Sequence, residues 1–461
     1  MKTDCIQNEF TLQAVGDRDV VVKRDGGTIS SDGGLVLLSL IEKRYGIVAG
    51  FSKAFRDLRN PKLIRHNLRT LIAQRLFGLC QGYEDLNDHD AWRRDPLLAI
   101  ACGTSPCETG VAGRCMLNRL ELGGRPESAK ERYKNIRYDA DAVKRTLIEL
   151  FLDHYPGRRK RGPREIVIDV DSTDDPLHGN QEGRFFNGFY DEYCYLPLYF
   201  FVGQFPLWAE LITSDVDSAD AVVPALKAMV SMIRKRWPKT RIVLRGDSGF
   251  CRPKIFDWCE QPENKVLYVI GLPKNPRLKR SIGGSLREAA RLHRDSGQPE
   301  RIFRDLRYKT RKTWKRARRV VANAEHLADG SNPRFIVSNI GKDEIDARSL
   351  YEDLYCARGR MENRIKEQKL CLFADRLSTT TLRANQLRLW FSTFAYLFMV
   401  LLRIQDIGDA ELPKMQASTL RLKFLKVAAR VTVSVRRTVV HIPESFPYWL
   451  TWFALQAVLL V

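Results

Sequence analysis

The sequence predicts an α/β fold, in which short strands flanked by helices follow a mostly helical N-terminal region and are interrupted by a basic, β-rich insertion. Three observations predict it. EIVIDVDST (165–173), RIVLRGDSGF (241–250) and KVLYVIGL (265–272) are short apolar runs with strand-like composition, and the amphipathic stretch Ala219–Trp237 lies among them at helical spacing. Upstream of residue 160 the apolar residues recur mainly at helical spacing. Between Gly271 and Val320, 17 Lys/Arg stand against 4 Asp/Glu.

With 461 residues and 44% apolar residues, the chain is long enough for two or three domains with a sizeable core. A net charge of +21 calls for an anionic partner. Nucleic acid fits better than a membrane, because the apolar runs Leu389–Leu402 and Pro447–Val461 are shorter than the ~18–20 residues of a span and read as buried helices. The start, MKTDCIQNEFTLQ, lacks a basic segment followed by an apolar run, so no signal peptide is expected. Ten Cys without CxxC pairs point to reduced thiols and away from zinc.

Residues 1–160 begin with a short strand, Asp19–Lys23, after which SSDGGLVLLSLIEKR offers Asp32 as a helix cap. From Pro61, the residues Leu63, Ile64, Leu68, Leu71, Ile72 and Leu76 predict one helix ending at Gly82. The acidic segment GYEDLNDHDAWRRDP suits helix starts and turns better than a metal site. GRRKRGPR, Gly157–Arg164, is a basic linker and the first domain boundary.

The strand at Glu165 places Asp169 and Asp171 on one face, since side chains alternate along a strand. Asp174 and Asp175 fall beyond it and read as turn formers. The following stretch, with Asn187-Gly188 as a turn signal, reads as a β-hairpin. Asp247 ends the second strand within Gly-Asp-Ser-Gly, where tight backbone lets a carboxylate approach a ligand. A serine hydrolase is not indicated, because the strand–Ser–helix elbow is absent. The composition sets residues 273–346 apart as a basic segment between regions 161–272 and 347–405, with 406–461 as a C-terminal region.

Within the insertion, FRDLRYKT and RRVVANAEH read as strands around the turn RKTWKR, followed by a strand at Arg334–Val337. Lys312, Lys315 and Arg316 of that turn are candidate phosphate contacts. Trp314 among them either anchors a small core or stacks on a nucleobase. Arg421, Lys423, Lys426 and Arg430 offer another candidate phosphate-contacting face.

YEDLYCARGRMENRIKEQK, Tyr351–Lys369, predicts a helix. With Tyr355 at zero, Arg358 falls near −60°, Glu362 near −20° and Lys369 near −40° at roughly 100° per residue. One stripe therefore carries a phenol, two cations and a carboxylate. It reads either as a solvated face with ion pairs such as Glu362–Lys366 or as a surface facing something anionic.

Tyr355, two residues, Arg358, three residues, Glu362, six residues, Lys369 resembles the Y-(2)-R-(3)-E-(6)-K signature of DDE-type bacterial insertion-sequence transposases of group 1. Asp171-Ser172-Thr173 matches that family's Asp-x-Thr motif, with Asp169 the next candidate. Asp247 lies in the context of its second aspartate, and GYEDLNDHD is similar to an N-terminal segment of it. VAGRCMLNRLE departs from the Ser/Thr-rich helix start of relatives. The resemblance implies an RNase H-like core, a mixed sheet with helices on it, of which 161–272 and 347–405 are the two parts and the basic segment 273–346 the insertion. It also implies Asp171, Asp247 and Glu362 as catalytic ligands of two Mg²⁺ or Mn²⁺ ions, an oxygen-only set suited to those metals. Tyr355, Arg358 and Lys369 would contact DNA. The partners it implies are double-stranded DNA, as terminal inverted repeats and target, and a second copy of the chain, at least a dimer on DNA. The expected location is the cytoplasm, on the nucleoid. An RNase H-like nuclease without strand transfer and a non-catalytic DNA-binding relative are the alternatives.

Overall fold

A computed structural model describes residues 9–12, 20–105, 110–122, 135–156 and 162–460. Residues 157–161 of the GRRKRGPR linker and Asp19 of the first strand lie outside the described residues. The chain divides into two compact units. One comprises Met1–Ser52, Arg59–Leu120 and Leu401–Val461; the other comprises Lys53–Leu58 and Glu121–Val400.

The second unit is built on one large mixed sheet. Its main strands are β1 (Glu165–Ser172), β2 (Glu192–Val202), β3 (Phe205–Thr213), β4 (Arg241–Gly246), β5 (Val266–Leu272), β6 (Glu300–Tyr308), β7 (Arg318–Leu327) and β8 (Arg334–Ser338). They lie in the order β3-β2-β1-β4-β5-β8-β7-β6. β1, β4 and β5 are parallel, so their C-terminal ends emerge on one edge. β2 and β3 add antiparallel strands on one side, and β8, β7 and β6 do so on the other. The strands expected of a separate insertion therefore extend the main sheet. Val320, Val321, Phe335, Ile336 and Val337 are buried, and their apolar surface finds cover only as part of a larger sheet.

The amphipathic helix α1 (Ala219–Arg236) buries Val222, Leu226, Met229 and Ile233. The predicted 351–369 helix is present but not uniform. A π-helical turn over Leu350–Tyr355 and a 3₁₀ turn over Cys356–Arg358 precede α2 (Gly359–Leu372). Leu350 is buried in a cluster with Val243, Val269, Val321 and Ile336, against which Leu354 and Tyr355 also pack. α3 (Leu382–Arg403) is almost wholly buried from Leu389 to Leu402, as its apolar run predicts.

In the first unit three expectations are corrected. Asp32 is not a cap: the residue before the Leu35–Tyr45 helix is Gly34, without a side-chain cap. The Asp32 carboxylate is instead fully buried, accepting from Tyr83 Oη (2.8 Å), Trp92 Nε1 (2.9 Å) and Lys426 Nζ (2.7 Å). The helix expected from Pro61 is only a 3₁₀ turn, Pro61–Leu63; the α-helix starts at Leu68, capped by the Asn67 side chain on Thr70 N. The Trp449–Leu460 helix is not buried all round, for Leu450 and Phe453 are exposed.

Candidate active site

Strand polarity creates the site. The C-terminal ends of β1 and β4 place Asp171 and Asp247 on one sheet edge, at neighbouring levels by the pairing of Val170 with Gly246. Asp171 Oδ1 accepts the Ser172 N–H at 3.0 Å, and Asp247 Oδ1 accepts the Gly249 N–H at 2.9 Å, so both carboxylates are held by tight local backbone. Gly271 on β5 sits at the same level. A Cβ there would lie 2.7 Å from Tyr355 Oη and 2.8 Å from Ser248 N, so only glycine lets the phenol and the Asp247 loop come together.

The Tyr355–Lys369 stripe faces this edge. Arg358 Nη1 reaches Asp171 Oδ2 at 3.3 Å and Nη2 reaches Glu362 Oε1 at 2.7 Å. Lys369 Nζ donates to the Asp174 carbonyl at 2.6 Å and lies 3.1 Å from Asp175 Oδ1. Asp171, Asp247, Glu362, Arg358, Lys366 and Lys369 all line one cavity of about 460 Å³. The solvated reading of the stripe fails for Arg358 and Lys369, whose side chains are four-fifths covered. Glu362 pairs with Arg358, whereas the solvated reading offered Lys366 as its partner.

Burial pushes the Asp171 carboxyl up to about 7, with the Asp247 charge adding to it and Arg358 opposing. Burial and the neighbouring carboxylates outweigh Arg358, and a further cation would relieve them. Among the described residues no three His, Cys, Asp or Glu side chains are arranged to hold a metal as they stand. Arg358 bridges Asp171 and Glu362 and supplies positive charge there. The donor chemistry nevertheless fits a hard divalent cation: three carboxylates on one cavity, with no sulfur or imidazole among its lining residues.

Asp169, the alternative to Asp171, points into the protein and not into this cavity. It is 1% exposed and bound bidentately by Arg245, its direct neighbour on β4, at 2.5 and 2.9 Å. Arg245 Nη1 also donates to the Leu354 carbonyl at 2.5 Å. Burial pushes the Asp169 carboxyl up, and Arg245 opposes. Asp175, read from the sequence as a turn former, is fully buried in a short strand, Asp175–Pro176, paired with β2. Burial pushes it up to about 8 despite Lys369. Sequence reasoning passed over Asp175 and Arg245. An acidic residue just past a strand resembles a turn signal, and an arginine in an apolar strand carries no sign of its partner.

The RKTWKR turn is not brought to this cavity. Arg319 pairs with Ser338, Ser338 with Val269, Val269 with Arg245 and Arg245 with Asp169. Arg318 is thus about three residues behind the Asp171 level, roughly 10 Å at strand rise, and the turn continues away. The Trp314 ring is 4% exposed, edge-on to Phe256 and Tyr308 and beneath the Arg318 guanidinium. Its structural use is the one observed; the exposed ring that stacking requires is not. Arg316 binds Glu260, Lys315 lies 3.6 Å from Asp257, and Lys312 is exposed on the same turn. Arg421 and Lys426 are likewise structural, donating to the Leu79 and Cys80 carbonyls and to Asp32.

Acidic strand ends and a cationic helix thus share one cavity of an α/β protein. Over residues 12–459 the chain matches the family described as Transposase DDE domain group 1, and it belongs to that family. No curated protein matches the chain at significance. Among solved structures it is similar, at 11% identity over 84% of each chain with a TM-score of 0.32, to piggyBac transposase in a cryo-EM structure of its synaptic complex with hairpin DNA. None of the described helices is long and apolar enough to cross a membrane.

Proposed function

We propose that the chain is a DNA transposase that cleaves at the ends of an insertion sequence and joins them to target DNA. Asp171, Asp247 and Glu362 would hold two Mg²⁺ or Mn²⁺ ions. Bound there, such ions activate the attacking oxygen and stabilise the leaving one in an in-line displacement. The single observation that carries this reading is the shared cavity, where three carboxylates meet Arg358 and Lys369. Arg358 and Lys369 would bind backbone phosphates near the scissile bond, and Tyr355, which interacts with Arg358 and not with Lys369, would set the position of that guanidinium. The order β3-β2-β1-β4-β5, antiparallel then parallel, supports an RNase H-like core. Family membership and the net charge of +21 support double-stranded DNA as partner. At least a dimer on paired DNA ends, working in the cytoplasm, completes the reading.

The test uses the purified chain and a supercoiled plasmid carrying the gene with its flanking terminal repeats, with Mg²⁺ or with EDTA. Metal-dependent release of the element and its appearance at new sites is the expected result. Asp171→Asn, Asp247→Asn and Glu362→Gln should each abolish cleavage while DNA binding persists. Cleavage without joined products would establish the nuclease reading instead. Retained cleavage in all three variants would end the assignment of the triad.

A further inference from the structure

With Trp314 buried, exposed aromatic surface on the carboxylate side of the sheet lies elsewhere, on the hairpin that the sequence predicts around Asn187-Gly188. The short strand Phe185–Asn187 pairs with the start of β2, Phe186 facing Tyr193 and Asn187 facing Glu192. β2 passes Asp171 at Tyr199 and Asp175 at Tyr195, so this hairpin continues beyond the carboxylate edge of the sheet. Its tip carries Phe189, 86% exposed, and its two strands carry Phe186 (53%), Phe185 (43%) and Tyr193 (42%), the Phe186 and Tyr193 rings meeting edge-on. Scattered exposed apolar residues are ordinary, but four exposed aromatic rings on one short hairpin are not.

The tip is shaped rather than loose. Asn187 Oδ1 accepts the Phe189 and Tyr190 N–H groups at 3.0 and 3.3 Å, and the Asp191 N–H closes the turn on the Asn187 carbonyl at 2.8 Å. Asp191 takes the left-handed conformation this requires, with φ 58°. Phe189 stands edge-on to Tyr190, centroids 4.9 Å apart, and Arg184 lies 3.7 Å from the Tyr193 ring centroid. The Tyr190 phenol is within electrostatic reach of the site carboxylates. Burial pushes the Tyr190 phenol up to about 12, and the charges of Asp174, Asp171 and Asp247 add to that.

We propose that this hairpin is a nucleobase-binding element: Phe189, supported by Tyr190, stacks on an unpaired base of the DNA strand whose phosphate lies among Arg358, Lys366 and Lys369. The proposal rests on the transposase reading of the cavity. A flat apolar ring offered to water beside a cationic cleft matches the two faces of a single-stranded nucleotide, an aromatic base and an anionic phosphate. Duplex DNA opened at a cut exposes such a base at the same place.

The test is fluorescence anisotropy with the full chain, in EDTA so that nothing is cut. Two labelled duplexes are used, one with a single-stranded dT overhang and one whose overhang is abasic but keeps every phosphate. The chain should bind the dT overhang more tightly. Phe189→Ala should lower that affinity about 5-fold or more, from the usual worth of one stacked base, and leave the abasic duplex unaffected. Phe189→Trp should retain the preference. Because the ring is exposed, both variants should unfold at the wild-type denaturant midpoint. Equal affinity of the wild type for the two duplexes would overturn the proposal, as would an equal loss on both in Phe189→Ala. Loss of self-association in Phe189→Ala, read by sedimentation, with base preference intact would make the tip a protein interface instead. No binding to either duplex would count against the transposase reading itself, a separate failure.

Discussion

Replacing Arg245 by Met tests whether the buried ion pair behind the cavity positions the helix that completes it. The pair is nearly inaccessible, with Asp169 1% and Arg245 7% exposed. Removing the guanidinium leaves a buried carboxylate without its partner, a loss of roughly 3–5 kcal/mol. The Leu354 carbonyl loses its donor as well, a smaller cost of about 1–3 kcal/mol that is not additive with the first because both losses share the Arg245 guanidinium. Urea unfolding should therefore show Arg245→Met destabilised by about 3–5 kcal/mol. Adding Asp169→Leu removes the stranded charge, and the double variant should recover more than half of the loss, since apolar replacements of buried pairs are often neutral. DNA-end cleavage should not recover with it, because the Leu354 carbonyl, which fixes the turn ahead of Tyr355, still lacks its anchor. A single variant losing less than about 1 kcal/mol, the worth of an exposed pair, would refute the burial argument. A double variant with wild-type cleavage would refute the positioning argument.

Gly271→Ala forces a methyl to within 2.7 Å of the Tyr355 hydroxyl; overpacking of about 1–3 kcal/mol should reduce cleavage at least several-fold with DNA binding nearly unchanged, and wild-type turnover would contradict the close fit. For Asp175→Asn the sign follows from burial. A carboxyl raised to about 8 contributes stability that is full below its ordinary 3.8 and lost as pH rises through 8, so the variant should match the wild type near pH 4 and exceed it at pH 8. An Asn variant less stable than wild type at pH 8 would show that the Lys369 ion pair outweighs burial. His89 behaves oppositely: burial and Arg75 hold it near 3, so it contributes stability above 6.5 that is lost as pH falls towards 3, and His89→Gln should flatten acid unfolding over that window. DNA affinity should fall with salt at a slope of about −0.9 per phosphate neutralised, and Lys312→Ala with Lys315→Ala should leave cleavage at the cavity unchanged.

The parts legible in the sequence were those with a local signature. Apolar strands ending at Asp171 and Asp247 and the stripe from Tyr355 to Lys369 could be read because alternation and helical spacing are short-range properties. The destination of the 273–346 strands could not, since nothing within RRVVANAEH says whether its partner is a local strand or the edge of a larger sheet. Trp314 was equally undecided, because basic neighbours on a turn describe its solvent side and not Phe256 and Tyr308 beneath it. His89 had the look of a ligand among aspartates. Its Nδ1 instead faces the Gln74 amide at 3.2 Å, and Gln74 also binds both polar groups of Ala112, so the imidazole serves a neutral packing network.

The spacing of the signature becomes intelligible when the helix is laid along the strand it faces. A helix rises ~1.5 Å per residue and a strand ~3.3 Å, so a little over two helical residues match one strand residue. Leu354 is tied to Arg245 at the level of Asp169, and Arg358, four residues on, reaches Asp171, two residues on. From Arg358 to Lys369 the helix advances about 16 Å, which is about five strand residues beyond Asp171, and Lys369 indeed meets Asp174 and Asp175. The helix is therefore pinned to the polypeptide running out of β1 at both ends, through the buried Asp169–Arg245 pair behind the cavity and through Lys369 on the Asp174 carbonyl and Asp175 at its far margin. Glu362 lies between the pins with its side chain 57% exposed and Arg358 beside it. Two of the three carboxylates are set by local strand-end backbone and the third by the distance between these two anchors. A residue inserted between Arg358 and Lys369 would turn Lys369 by ~100° and release the far pin, even though Asp171, Asp247 and Glu362 themselves were untouched.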